Sequence, residues 1–172
     1  MKQPSLPTEW PYFFTATIHE WKHLLENVEC KMIIINAIKF LVEAKRIRLT
    51  AFVIMSNYID IIWQPLPGHT KTTVQSSFMK YTAQYLKYYL EKNDILFLEV
   101  FKVNKKDRMY QFWKRNALSV ELFNEKAFYQ KVEYIHFNPV KAGLCLNPQE
   151  YRFSSARFYK NGIDNFLMFT LI

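Results

Sequence analysis

Two groups of residues have types and spacings that could carry chemistry. Strict alternation along residues 58–64 puts Tyr58, Asp60, Ile62 and Gln64 on one face of a strand and Ile59, Ile61 and Trp63 on the other. A carboxylate in the middle of so apolar a run is either solvated on an open face or, if covered, needs a partner, a water or a metal. Further along, Tyr134 and Asn138 are four residues apart and stack on one helical face, with Gln130 and Lys131 one turn earlier. On spacing alone, Tyr134 reads as a partly buried side chain whose hydroxyl reaches Asn138. His136 is two residues from Tyr134 and points away from that face, which suits a structural or phosphate-contacting role. His19, His23 and His69 have no metal-site spacing.

A third group is basic. Lys102, Lys105, Lys106, Arg108, Lys114 and Arg115 fall within fourteen residues against Asp107 alone, interleaved with Tyr110, Phe112 and Trp113. Cations that track phosphates, beside rings on which bases stack, suit single-stranded or hairpin DNA; the alternative is a solvated loop next to a core aromatic strand. Phe112 and Trp113 cannot both face DNA if they alternate on a strand, so one of them is expected in the core.

The elements that must position these groups follow from periodicity. Residues 12–18 are rich in aromatic and β-branched side chains and predict a strand. Residues 29–45 carry a helical stripe at Ile33, Ala37, Phe40, Leu41 and Ala44. Residues 48–64 predict a β-hairpin turning at Ser56 and Asn57. Residues 69–92 predict a long amphipathic helix with Val74, Phe78, Tyr81, Tyr85 and Tyr89 on its apolar side. Residues 95–103 read as strand or extended chain. Asn124 suits the N-cap of a helix that buries Phe128, Val132 and Ile135 and stops near Asn138, ahead of Pro139. A short helix within residues 154–160 and an ordered tail complete an α+β sandwich, with helices over an antiparallel sheet.

Composition limits the function classes. A length of 172 residues predicts one domain, 1–172, and half the residues are hydrophobic, enough for a core. The formal net charge of +8 favours a polyanionic partner, nucleic acid or an acidic membrane surface; the clustering of the cations among aromatics favours nucleic acid. Only three glycines are present, which excludes P-loops and dinucleotide fingerprints. Cys30 and Cys145 are too few for a disulfide scaffold or a cysteine zinc site and suit buried free thiols in a reducing cytoplasm. Residues 1–10 lack the apolar region of a signal peptide, and the longest apolar stretch, residues 32–42, is half a membrane span. The expectation is a cytoplasmic protein with no membrane association.

The segment EYIHFNPVKAGLC, residues 133–145, resembles the YIHxNPVxAGL signature of the REP-associated tyrosine transposases, within the one-tyrosine HUH transposases of small insertion sequences. AFVIMSNYIDIIW (51–63) is similar to that family's AYVIMPNHVHLIW hairpin, and YQFWKRNALSVEL and YRFSSARFY keep its order and spacing. The resemblance spans roughly residues 8–165 and implies a ferredoxin-like α+β domain that binds hairpin or single-stranded DNA. It implies DNA cleavage and joining through a 5′-phosphotyrosine on Tyr134, with Lys131 and the basic stretch, Trp113 included, on the DNA. In the family, two strand histidines and a polar residue one turn after the tyrosine hold Mg²⁺ or Mn²⁺ and polarise the phosphate. Here Asn138 takes the last of these positions, whereas Tyr58 and Asp60 replace both histidines. If catalysis survives, Asp60 and Asn138 are the metal's oxygen ligands; otherwise no cofactor is expected. The expectation is a DNA binder with impaired cleavage, or alternatively a non-catalytic transposase-derived DNA-binding or regulatory module. Monomer and dimer both stay open.

Overall fold

The computed structural model describes residues 10–169. The expectations for the signal-free N-terminus and the tail fall partly outside that range. A four-stranded antiparallel sheet has the order β2-β3-β1-β6, built from β1 (Tyr12–Thr17), β2 (Ile47–Ile54), β3 (Tyr58–Pro65) and β6 (Leu118–Glu121). Between them in the chain come α1 (Val28–Glu43), α2 (Lys71–Asn93), the short α3 (Ile95–Glu99) and a separate two-stranded ribbon, β4 (Lys102–Lys105) with β5 (Arg108–Tyr110). α4 (Glu125–Lys141) and α5 (Ala156–Asn161) follow. This is the expected ferredoxin-like α+β sandwich.

Each strand feeds both layers because its side chains alternate. Phe14, Ile61 and Trp63 lie in one apolar cluster with Ile34, Ile38, Phe78 and Leu86 of α1 and α2. Phe13, Val53 and Ile62 join Phe128, Val132 and Ile135 of α4 in a second cluster. The sheet is therefore covered on both faces, and Asp60, in register with Thr15 of β1, lies on the α4 side. Caps set the helix starts: Asn27 accepts from the amides of Glu29 (2.8 Å) and Cys30 (3.2 Å), and Asn124 accepts from that of Ala127 (2.8 Å) as predicted.

Several expectations are corrected. α4 does not stop at Asn138. Pro139 sits inside it, and the turn beyond closes through Ala142 N–H to Asn138 O (3.0 Å) and Leu144 N–H to Pro139 O (2.9 Å). So close to the end of the helix, proline forfeits a single backbone bond, and its burial beside Asn138 offsets that loss. Residues 95–103 are not one strand, since Asp94 accepts from the amide of Phe97 (3.0 Å) and starts a helical turn before β4 begins. On α2 the buried line is Val74, Phe78, Thr82, Leu86 and Leu90, a pure i+4 series that winds about 40° around the helix per step. Tyr81 and Tyr85 are left outside, stacked on each other at 4.3 Å, while Tyr89 is half-buried and its hydroxyl accepts from Asn27 Nδ2 (3.1 Å). On α1 the buried face centres on Ile34, Ile38 and Leu41, leaving Phe40 exposed and Ile33 half-buried. Cys30 is buried and Cys145 half-buried, both as free thiols. No helix among the described residues is long and apolar enough to cross a membrane.

Candidate functional site

The two pairs singled out by spacing meet between β3 and α4. Asn138 Nδ2 donates to Asp60 Oδ2 at 2.9 Å, and the hydroxyl of Thr15, across the strand pair, also bonds the Asp60 carboxylate. Asp60 is only 2% exposed, which removes the solvated alternative. Burial pushes its pKa up to about 6, held from going higher by Thr15, by the charge of Lys131 and by Asn138. Tyr58 is half-buried, and burial, with the nearby Asp60 and Tyr134, pushes its phenol up to about 12. It is therefore a neutral hydroxyl at physiological pH.

Tyr134 is 40% exposed and does not spend its ring in the core. The ring meets Phe13 edge-on at 6.2 Å, and two ammonium groups flank it, Lys131 Nζ at 4.9 Å and Lys141 Nζ at 5.4 Å from its centre. Lys131 Nζ also lies 4.5 Å from the centre of the Phe13 ring. An exposed phenol between two lysines is placed to meet an anionic group, because the cations offset charge that the phenol and a phosphate would otherwise bring together. Asn138 does not bond the Tyr134 hydroxyl, since its amide is turned to Asp60.

His136 is structural. It is 3% exposed, its Nε2 lies 2.8 Å from Ser155 Oγ, and its ring packs on Tyr159 at 5.5 Å. Burial lowers its pKa to about 4, so it is neutral and sealed from any phosphate. Sequence reasoning missed Thr15, Phe13 and Lys141. Lys141 lies seven residues from Tyr134, two helical turns on, and that spacing could have found it. Thr15 is visible only once the β1–β3 register is known.

The residues at the expected ligand positions do not fit a divalent cation. They supply one carboxylate, already bonded by two donors; an amide that presents its N–H to that carboxylate; and a phenol that stays protonated. No group of three His, Cys, Asp or Glu side chains able to hold a metal occurs among the described residues. A hard cation of this class takes about six oxygen ligands, and here Asp60 and Asn138 satisfy each other instead.

The basic stretch lies elsewhere. Lys102 and Lys105 lie on β4, Arg108 on β5, and exposed Lys106 and Asp107 form the turn between the strands. Asp107 pairs with Arg108 (3.0 Å) and Arg115 (3.8 Å), and Lys102 with Glu99 (3.5 Å), all near the surface where such pairs are weak. Lys114 Nζ lies 5.9 Å from the ring centre of exposed Trp21. Trp113 is corrected from an exposed stacking surface to a core residue: it is 6% exposed and its indole N–H donates to Thr82 Oγ1 at 2.9 Å. Phe112 is buried too, against Phe101. The alternation expected of these two fails because the segment makes only an isolated bridge, Trp113 to Ile18, and both rings lie in the apolar cluster that includes Phe78 and Leu86 of α2.

A scan of protein-family models and a search of curated proteins both return no match. Among solved structures, the fold matches that of a REP-associated tyrosine transposase bound to a REP hairpin, with a TM-score of 0.65 and 16% identity over 100% of this chain and 92% of that one. A Deinococcus radiodurans R1 protein classed as a transposase matches with a TM-score of 0.51 and 12% identity over 78% of this chain and 95% of that chain. The chain has the fold of the REP-associated tyrosine transposases.

Proposed function

We propose that the protein is a transposase-type DNA-binding protein that grips a short DNA hairpin, or the single strand beside it, with strand cleavage and joining through Tyr134 impaired. The observation that carries this is the likeness of fold, along the whole chain, to a protein solved on a REP hairpin. The charge distribution supports it: the exposed β4–β5 ribbon presents Lys102, Lys105 and Lys106, and Lys131 and Lys141 flank the exposed Tyr134.

The chemistry explains the impairment. Attack by a phenol on a phosphodiester needs the phenol's proton removed and the charge growing on the phosphate oxygens offset. Lys131 and Lys141 offer charge. A base is what the site lacks, because Asp60 is covered, doubly bonded and held apart from solvent. A hairpin bound at Tyr134 is therefore held but turned over slowly or not at all. A phosphate beside the tyrosine is a recognition contact in this reading, and a hairpin-binding module without catalysis is its limiting case.

A labelled hairpin oligonucleotide incubated with the protein and Mg²⁺ or Mn²⁺, then run on a denaturing gel, tests this. The expected result is a complex that dissociates on denaturation and leaves free, intact oligonucleotide, with native-gel binding changed less than threefold in Tyr134→Phe. A covalent adduct that disappears in Tyr134→Phe would overturn the impaired reading.

A further inference from the structure

The outward side of α2 carries an aromatic seam that nothing covers among the described residues. Tyr81, Tyr85 and Tyr88 are 39%, 45% and 51% exposed, and with exposed Lys92 they follow steps of four, three and four residues. That is the spacing by which one helix packs along another. Tyr81 stacks on Tyr85 at 4.3 Å and Tyr88 meets Tyr85 edge-on at 5.9 Å, so the rings are ordered against one another. α1 runs antiparallel beside this seam: Asn27, its cap, donates to the hydroxyl of Tyr89 near the end of α2 at 3.1 Å. There α1 adds Val28, 48% exposed, and half-buried Met32. Tyrosines and a methionine gathered at a surface have the composition of an interface centre.

Charge decides what covers it. The chain carries a formal +8, yet the accessible charges of α1 and α2 cancel on this side. Lys39 pairs with Glu43 (3.8 Å) and Lys87 with Glu91 (3.4 Å), Lys71 lies over the Tyr12 ring, and Lys80 turns toward residues 108–117. Exposed Glu29 and Lys92 are left, one of each sign. A polyanion gains little from such a face. Two copies of a cationic chain, by contrast, meet least repulsion where each presents no net charge.

We propose that this face binds a second copy of the chain, with the two α2 seams antiparallel across a two-fold axis beside Tyr85. Each Tyr85 then packs near its own symmetry mate, and each Tyr81 near the partner's Tyr88. Tyr134 lies on the other side of the sheet, with α4, and stays open in such a pair. The pairing goes beyond the hairpin-binding reading and does not depend on it. Two short seams make a small interface, so the dissociation constant is expected on the order of 10–100 µM.

Sedimentation velocity of the full chain from about 5 to 500 µM tests this. The wild type is expected to pass from monomer to dimer across that range. Tyr85→Asp, at an exposed position, is expected to weaken the pairing more than tenfold while its circular-dichroism melting curve stays close to that of the wild type. Tyr85→Cys under mild oxidation should yield a covalent dimer, because only a residue near the axis reaches its own copy within disulfide distance. Ser76→Cys, exposed on another side of α2, should cross-link no more than the wild type treated alike. A wild type that stays monomeric at 500 µM would overturn the proposal. So would a dimer that persists in Tyr85→Asp, or equal cross-linking of the two cysteine variants. Loss of hairpin affinity in Tyr85→Asp at protein concentrations below 1 µM would assign the face to DNA and overturn it as well.

Discussion

Asp60→Asn is expected to stabilise the fold by about 2 kcal/mol at pH 7.5, although it removes a group that two neighbours bond. The reason is that burial pushes the Asp60 pKa up to about 6, so at neutral pH the fold carries a carboxylate it would prefer protonated. Each pKa unit corresponds to about 1.4 kcal/mol, and a rise of about two units above the usual carboxylate value amounts to about 3 kcal/mol. An asparagine can accept from Asn138 with its oxygen and donate to Thr15 with its nitrogen, so most of that is recovered.

The pH dependence identifies the cause. Between about pH 4 and 6 the folded protein holds a proton on Asp60 that the unfolded chain has released, so this group's contribution is full below pH 4 and lost as pH rises through 6. His136 acts in the opposite direction. Its pKa is lowered to about 4, so its contribution is full above about pH 6.5 and is lost as pH falls toward 4. In the wild type the two offset each other between pH 4.5 and 6, and urea unfolding should show a nearly flat stability there. In Asp60→Asn only His136 remains, and stability should rise by about 1.4 kcal/mol per pH unit over the same window. A variant less stable than wild type at pH 7.5 would mean that the carboxylate has a cationic partner stronger than those described.

The second large effect is a gain of function. Tyr58→His with Asp60→His is expected to raise the yield of covalent Tyr134 adduct on a hairpin oligonucleotide roughly 100-fold or more with Mn²⁺ or Mg²⁺. Residues 58 and 60 point to the same side of β3, toward Asn138 on α4. Two imidazoles there release the Asn138 amide from its bond to Asp60 and leave three neutral donors facing one another. Lewis-acid stabilisation by a bound cation contributes several kcal/mol at a phosphate, more than enough for that factor. The double variant also removes the buried charge, so its stability at pH 7.5 is not expected to fall by more than about 1 kcal/mol. Titration with Mn²⁺ followed by thermal unfolding supplies a second readout, since a cation held only by the fold raises the melting temperature. An adduct no more abundant than in wild type, in a variant that does bind Mn²⁺, would place the defect outside the ligand positions.

The site was legible in the sequence where its logic is local. Alternation along β3 put Asp60 on a single face, and a four-residue step on α4 put Tyr134 and Asn138 together; the structure joins the two through one 2.9 Å hydrogen bond. Asn124 as a cap and Phe128, Val132 and Ile135 as the buried stripe of α4 were readable for the same reason. What was not readable depends on partners distant in the chain. Thr15 supports Asp60 only through strand register. Trp113 is held in the core by Thr82, a buried residue of α2 thirty-one positions earlier that accepts its N–H. Tyr81 and Tyr85 share the spacing of core residues, yet the layer beneath α2 takes Phe78, Thr82 and Leu86 instead. Pro139 marks a helix end in isolation, but packing carries α4 a turn past it.

The most direct test of the account is the salt dependence of hairpin binding. Anisotropy titrations of a labelled DNA hairpin from 50 to 300 mM NaCl are expected to give a linear fall of log affinity against log salt. The slope should be roughly −4, as four to five phosphates neutralised by the ribbon and the Tyr134 lysines require. Lys105→Glu with Lys106→Glu, at the exposed tip of the ribbon, should make the slope shallower by about 2 and weaken binding more than tenfold at 100 mM. Failure of the wild-type protein to bind any hairpin or its flanking single strand at 50 mM NaCl would contradict the DNA-binding reading outright.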